Sequence, residues 1–246
     1  MTVQRDGGVL DAVAVEEPLE IRVRGRALAV TMRTPGNDDE LALGFLHGEG
    51  LLVTPAPVGL SSDFAANVVD VDADLVREPP QRRFYATSSC GVCGKGALEE
   101  VAVLAAPSPA GPVVERALLA SLPERLAQAQ PGFDATGGLH ATGLFDGSGE
   151  LLLAREDVGR HNAMDKVIGR ALCDGLLPLG EHVLCVSGRL SFELVQKAAL
   201  AGAPILVGVG APTSLAVELA AGQGMTLCGF ARGGSLNVYA GEQRVA

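Results

Sequence analysis

Hydrophobic and polar positions change rhythm partway along the chain. Over the first ninety residues the pattern is short and alternating, as in Leu19-Glu-Ile-Arg-Val-Arg, Ala27-Leu-Ala-Val-Thr-Met and Val68-Val-Asp-Val, which predicts half-buried strands. Between them Asn37-Asp-Asp-Glu reads as the capped, acidic start of a helix. Its apolar face is Leu41, Leu43, Phe45 and Leu46, and its end lies near His47, before Gly48. Further on, Val114 to Gln130 has helical spacing, His140 to Phe145 and Leu151 to Ala154 form a hairpin around Asp146-Gly-Ser-Gly, and Asn162 to Leu172 is helical. Then come three continuously apolar strands, beginning at His182, Pro204 and Met225, the first two followed by helices near Leu190 and Thr213. Apolar strands alternating with helices imply a parallel sheet covered on both faces.

The breaker-rich run Ala105-Ala-Pro-Ser-Pro-Ala-Gly-Pro112 divides the chain into a small α+β unit, 1–104, and an α/β unit, 113–246. The parallel strands put their following turns on one carboxyl edge, where α/β proteins hold ligands. Those turns supply Ser187, Gly188 and Arg189; Gly210 and Thr213; and Phe230, Ala231, Arg232, Gly233, Gly234 and Ser235. Glycine turns are also ordinary connectors, so the case rests on all three sharing an edge. Neither a Walker A nor a G-x-G-x-x-G motif occurs.

Composition narrows the class. Of 246 residues 48% are hydrophobic and 20% charged, which is globular and not disordered. With 19 Lys and Arg against 29 Asp and Glu, the net charge of -10 argues against nucleic acid and anionic membrane as partners, and any anionic ligand needs a local basic pocket. The first residues lack the apolar core of a signal peptide, and no run supplies a membrane-spanning helix. Five cysteines, only Cys90 and Cys93 close in sequence, do not form a secreted disulfide framework, so a reducing cytoplasm is expected.

Cys90-Gly-Val-Cys93-Gly-Lys sits among Ser, Thr and Gly, with no apolar face to pack. Lys95 and free backbone N–H groups there favour thiolate, the form that exchanges or carries sulfur. Cys173, Cys185 and Cys228 fall in apolar segments and read as inert core thiols. No second C-x-x-C or H-x-x-x-H completes a structural zinc site, so no metal is expected. His47-Gly-Glu49 ahead of the cysteine pair superficially matches a zinc-deaminase signature, but Ser89 replaces its proline and the His-Glu pair falls at a helix end. Seven of the twelve residues from Arg155 to Lys166 are charged or titratable. They read either as a capped, salt-bridged helix entry or as Arg160, His161 and Lys166 gathered around an anion or pterin ring.

At Ser88-Ser-Cys-Gly-Val-Cys-Gly, Glu156-Asp-Val-Gly-Arg-His-Asn-Ala-Met-Asp-Lys-Val-Ile-Gly and Ser187-Gly-Arg-Leu-Ser-Phe-Glu, the chain resembles the formate dehydrogenase accessory sulfurtransferase family (FdhD/NarQ). The likeness runs from Arg33-Thr-Pro-Gly-Asn-Asp-Asp-Glu-Leu to Gly229-Phe-Ala-Arg and Asn237-Val-Tyr. It implies a sulfurtransferase that takes persulfide sulfur from a cysteine desulfurase and passes it to the bis-guanine-dinucleotide molybdenum cofactor, needed for activity of the formate dehydrogenase catalytic subunit. It also implies homodimers, a C-terminal three-layer cytidine-deaminase-like domain, and guanine nucleotides such as GDP binding in the cofactor's place. Cys90 then matches the persulfide cysteine, Cys93 its partner, and Phe230 to Ser235 the cofactor-binding stretch. The alternatives are a non-catalytic cofactor chaperone and a zinc-dependent hydrolase of deaminase type. Gly210 departs from the serine more common in that family, and Ala141-Thr142 after His140 leaves this unit without an H-x-E pair. Whether molybdenum or tungsten is served is not written in the sequence.

Overall fold

A computed structural model describes residues 1–60, 67–78 and 105–246. Two short strands, β1 (Thr2–Gln4) and β2 (Leu10–Ala12), pair at the N-terminus. A four-stranded sheet follows, built from β3 (Glu17–Val23), β4 (Arg26–Arg33), β5 (Val58–Leu60) and β6 (Val68–Val71) in the order β4-β3-β6-β5. Its helix is α1, Asp38–Gly48. The second unit contains α2 (Arg116–Ala127), α3 (Pro131–Thr136), β7 (His140–Asp146), β8 (Leu151–Asp157), α4 (Arg160–Cys173), β9 (His182–Val186), α5 (Phe192–Leu200), β10 (Ile205–Gly208), α6 (Ser214–Gly222), β11 (Thr226–Arg232) and β12 (Ser235–Ala240).

These strands form one six-stranded sheet ordered β12-β11-β10-β9-β7-β8. The β9, β10 and β11 strands run parallel, as their apolar runs predict, and the β7–β8 hairpin pairs antiparallel to β9. Alternation decides which face each residue covers. Leu184 and Val186 of β9, with Leu206 and Leu227, pack against α4, α5 and α6, whereas Val183 and Cys185, with Val207 and Cys228, pack against α2. Helices on both faces make three layers.

The helix expected over 114–130 is α2, which stops at Ala127, and a separate short helix, α3, follows with Pro131 as its first residue. Asn37 does not cap α1 through its side chain: its backbone is left-handed, φ 55°. The acids of the first turn serve arginines instead. Asp38 takes a bidentate contact from Arg33, at 3.0 and 2.8 Å, and Glu40 takes one from Arg155 of β8, at 2.6 and 2.8 Å.

The proline-rich stretch lies along the second unit. Arg244 donates to the carbonyls of Pro109 and Ala110, and Ser108 N–H donates to Gln223 O. The two sheets are joined by α1 crossing α4 at a pair of glycines. A Cβ on Gly44 would lie 1.8 Å from Asp165 O, and one on Gly169 would lie 1.9 Å from Glu40 O, so neither helix tolerates a side chain at the crossing.

Candidate functional site at the carboxyl edge

The charged segment that ends β8 and opens α4 resolves into a buried clasp and a partly buried remainder. Asp157 ends β8 with no exposed surface. Its Oδ1 accepts from Gly159 N–H at 2.8 Å and Asn162 Nδ2 at 3.0 Å; its Oδ2 accepts from Thr34 N–H at 3.1 Å and pairs with Lys166 Nζ at 2.8 Å. Lys166 also donates to Thr34 O at 2.9 Å, and Asn162 to Met32 O at 2.8 Å. Burial without this saturation would be costly for both charges. Every partner outside the motif comes from the end of β4 or the residue after it, so the sequence segment that looked like a ligand cluster also holds the first sheet to the second unit. Lys166 is turned inward, 2% exposed.

Arg160 and His161 stand at the other side of this helix start. His161 Nε2 meets Glu193 Oε2 at 2.8 Å and Ser191 Oγ at 3.2 Å, while Arg160 Nε is buried without a hydrogen-bond partner among the described residues. His140, which opens β7, completes a group of four. Its basicity is lowered by burial and then by the positive fields of Arg160, His161 and Arg189, with Asp157 opposing. On a chain of net charge -10, Arg160 and Arg189 thus stand near His140, with the Glu193 carboxylate beside His161.

The turns of the carboxyl edge are laced together through backbone. Ser187 N–H donates to Ala141 O at 3.0 Å, Gly210 N–H to Gly188 O at 3.0 Å, and Phe230 N–H to Gly210 O at 3.1 Å. Ser187 Oγ accepts from Ala141 N–H at 2.9 Å. The first three turn segments therefore share one ledge, as the parallel reading requires. Thr213 uses its hydroxyl to cap α6, accepting from Ala216 N–H at 3.3 Å. A Cβ at Gly210 would come within 3.0 Å of the Arg189 backbone, so the glycine that replaces the expected serine goes with a closely approaching Arg189 turn.

The third turn is a hairpin and not a strand-to-helix connection. Arg232 pairs with Ser235 across Gly233 and Gly234, whose φ values of 57° and 74° suit a two-residue turn. Phe230 is 36% exposed with φ 52°, a left-handed conformation rare for an aromatic residue, and the Arg232 guanidinium lies 5.9 Å from its ring centroid. Ala231 points into the α2 core, so Phe230 and Arg232 share the outward face.

Beside this ledge a cleft of about 410 Å³ is lined by Gln130, Phe133, His140, Ser187 and Val209, among others. Gln130 at the N-cap of α3, Phe133 within it and His140 at the start of β7 meet at this cleft, a grouping no sequence motif marks. Glu156 accepts from the N–H groups of Gly132 and Phe133 at 2.8 and 2.7 Å and so fixes α3 beside the cleft.

Cys90 and Cys93 lie outside the described residues. Of the other thiols, Cys185 and Cys228 are buried as expected, burial pushing Cys228 up to about 12 and Cys185 higher still. Cys173, expected in the core, is exposed at the end of α4, because the apolar face of that helix closes with Leu172. Among the described residues no three His, Cys, Asp or Glu side chains gather as a metal site. His47 turns both ring nitrogens to carbonyls, Leu52 O at 2.9 Å and Leu200 O at 3.1 Å.

The model of one protein family, the FdhD/NarQ family, matches residues 14–246. A relative from Streptomyces avermitilis, the sulfur carrier protein FdhD, is 54% identical over 98% of this chain and 93% of its own length. The protein of the same name from Mycolicibacterium paratuberculosis is 50% identical over 96% and 92%. A solved structure from Desulfotalea psychrophila, described as a candidate formate dehydrogenase accessory protein, superposes with a TM-score of 0.79 at 28% identity, covering 100% of this chain and 97% of that one. The match therefore spans both sheets and the laced edge, and the chain belongs to the FdhD/NarQ family.

Proposed function

We propose that the protein is a sulfurtransferase that carries sulfur to the bis-guanine-dinucleotide molybdenum cofactor on behalf of formate dehydrogenase. The observation that carries this reading is the placing of Arg160, His161 and Arg189 near His140 beside the laced glycine turns, where Arg160 Nε is buried without a hydrogen-bond partner among the described residues, on an otherwise acidic chain. The sulfur-carrier name of relatives at 54% and 50% identity supplies the cargo.

In this reading the Cys90 thiolate attacks the terminal sulfur of a desulfurase persulfide. The new S–S bond forms on Cys90 as the donor's S–S bond breaks, the donor cysteine leaving as thiolate, so no external oxidant or reductant is needed. Cys93 assists release. The metal dinucleotide is the substrate: Phe230 to Ser235, Ser187 to Arg189, Arg160, His161 and Thr213 hold its anionic and ring portions, while Lys166 supports the helix start from within. The three-layer second unit agrees with a cytidine-deaminase-like fold, and the family resemblance with a cytoplasmic homodimer. No helix among the described residues is long and apolar enough to cross a membrane.

Incubation with a cysteine desulfurase and cysteine, followed by mass spectrometry of the intact chain and its peptides, tests the proposal. A gain of one sulfur atom on the Cys90 peptide is expected. Its absence with an active desulfurase overturns sulfur transfer and leaves a cofactor chaperone, and zinc retained by the purified chain would favour the hydrolase.

A further inference from the structure

Four charged side chains close the seam between α4 and α5. His161 Nε2 meets Glu193 Oε2 at 2.8 Å, and one turn further along both helices Asp165 Oδ1 meets Lys197 Nζ at 2.7 Å. The polarity alternates, since α4 contributes the histidine and then the acid, and α5 the acid and then the lysine. His161 and Asp165 are therefore neighbours along α4, as Glu193 and Lys197 are along α5. Lys197 accordingly feels the negative fields of Asp165, Glu49 and Glu193, and Asp165 feels Lys197 and His161 against Glu49. The outer pair opens on the carboxyl edge: Ser191 Oγ lies 3.2 Å from His161 Nε2, Arg160 precedes His161 on α4, and His140 of β7 feels both. The inner pair is sealed by the last turn of α1. The Phe45 ring centroid lies 5.7 Å from Lys197 Nζ, a Cβ on Gly48 would lie 2.9 Å from Lys197 Nζ and 3.4 Å from Asp165 Oδ1, and Gly48 O accepts from Gln196 Nε2 at 3.3 Å. Lys197 thus sets its charge against a helix C-terminus, where cations are favoured. That turn also holds the part of the first unit that precedes Cys90 in sequence, for Glu49 O accepts from Arg77 Nη2 at 2.7 Å and Leu51 O from Val76 N–H at 3.0 Å.

We propose that these four side chains form a proton-operated latch between the carboxyl edge and the last turn of α1, closed when His161 is charged. With an imidazolium facing Glu193, each carboxylate of the quartet has its own cation, and Lys197 stays with Asp165 beneath Gly48. With a neutral imidazole, Glu193 and Asp165 both draw on Lys197, and its hold on α1 weakens. Histidine is the side chain whose charge changes near neutral pH, so acid closes the latch. An anion at the edge favours the charged imidazole and closes it too. The acid response needs no ligand; only the response to an anion rests on the reading of the edge given above.

Amide hydrogen exchange of the full-length chain tests the latch, read at Glu49, Gly50 and Leu51, whose N–H groups donate to Phe45 O, His47 O and Leu46 O at the end of α1. After correction for intrinsic rates, these amides should exchange about three- to tenfold more slowly at pH 6 than at pH 8. Gln223 and Gly224, which donate to Leu219 O and Ala221 O at the end of α6, belong to a helix outside the quartet and should not change. His161→Gln cannot charge, so its three amides should exchange fast at both pH values. Glu193→Gln removes the competing carboxylate, so they should exchange slowly at both. A merely structural outer pair would shift the two variants in the same direction.

A shift of both variants in one direction overturns the latch. So does a wild-type pH response that persists in His161→Gln, which would assign it to His47, a member of the same turn that also feels Lys197. Should one variant not fold, the other decides, because each alone must abolish the pH response in its own direction. Saturating inorganic pyrophosphate at pH 8 should slow the three amides in wild type and not in His161→Gln. Bound pyrophosphate that leaves the wild-type amides unchanged overturns closure by an anion. Failure of the wild type to bind pyrophosphate counts against the anion-holding edge, and the acid response still decides the latch.

Discussion

Lys166 Nζ lies 2.8 Å from Asp157 Oδ2, and the two side chains are 2% and 0% exposed. This pair joins the end of β8 to the first turns of α4, and through Thr34 it reaches the first sheet. Removing one member leaves the other charge buried and alone, which costs about 3–5 kcal/mol. Lys166→Met and Asp157→Asn should therefore each lower the urea midpoint strongly. The protein that remains folded should bind GDP within a few-fold of wild type. Loss of GDP binding by Lys166→Met at unchanged stability would move Lys166 from the clasp to the ligand site.

The glycine crossing makes a sharper structural prediction. Gly169→Ala places a methyl group 1.9 Å from Glu40 O, which only separation of α1 from α4 can relieve, and that separation also pulls Glu40 from Arg155. Overpacking of this kind costs about 1–3 kcal/mol, so the thermal midpoint should fall. Gly222→Ala is the control. Nothing lies within 4 Å of its Cβ position at the end of α6, and a gain of up to about 1 kcal/mol from helix propensity is expected there. Similar midpoints for the two variants would show that the crossing yields more easily than its distances imply.

Much of the fold was legible along the chain because it is written in local rhythm. The apolar runs from His182, Pro204 and Met225 became β9, β10 and β11, and the Asp146-Gly-Ser-Gly turn joined β7 to β8. What stayed hidden depends on partners distant in sequence. Asp157 looks like a helix cap until Thr34 arrives beside it, and Glu40 looks like a first-turn acid until Arg155 does. Gln130 carries no local signal at all: it is one polar residue between two helices, and only the fold shows it buried against a cleft. The carboxyl-edge residues were readable as separate turns, but their lacing through Gly188, Gly210 and Phe230 is a tertiary fact.

The hairpin at Arg232 tests the phosphate-holding edge. Arg232 is exposed, so its removal should leave stability within about 0.5 kcal/mol. Arg232→Ala should weaken GDP severalfold, and Arg232→Lys should restore only part, because lysine keeps the charge but not the planar group over Phe230. Wild-type affinity should fall as sodium chloride rises, and less steeply in Arg232→Ala. Equal affinities and equal salt slopes for wild type and Arg232→Ala would remove this arginine from the site.

His140 gives the edge a predictable response to pH. In the free chain its pKa is held below 6.5 by burial and by Arg160, His161 and Arg189, with Asp157 opposing. A histidine depressed in the folded state contributes stability that is present above its unfolded value near 6.5 and is lost as pH falls through the folded one, so the free chain should lose stability on acidification in that window. A bound anion reverses the local field and raises the His140 pKa, so binding takes up a proton. GDP affinity should then strengthen as pH drops below 6.5, beyond the change due to titration of the ligand itself. Calorimetry at pH 6 in two buffers of different ionisation enthalpy measures that uptake directly. His140→Asn, which cannot charge, should show only the ligand's share. If wild type and His140→Asn take up protons equally, His140 does not face the bound anion, and the cationic group must act through the two arginines and His161 alone.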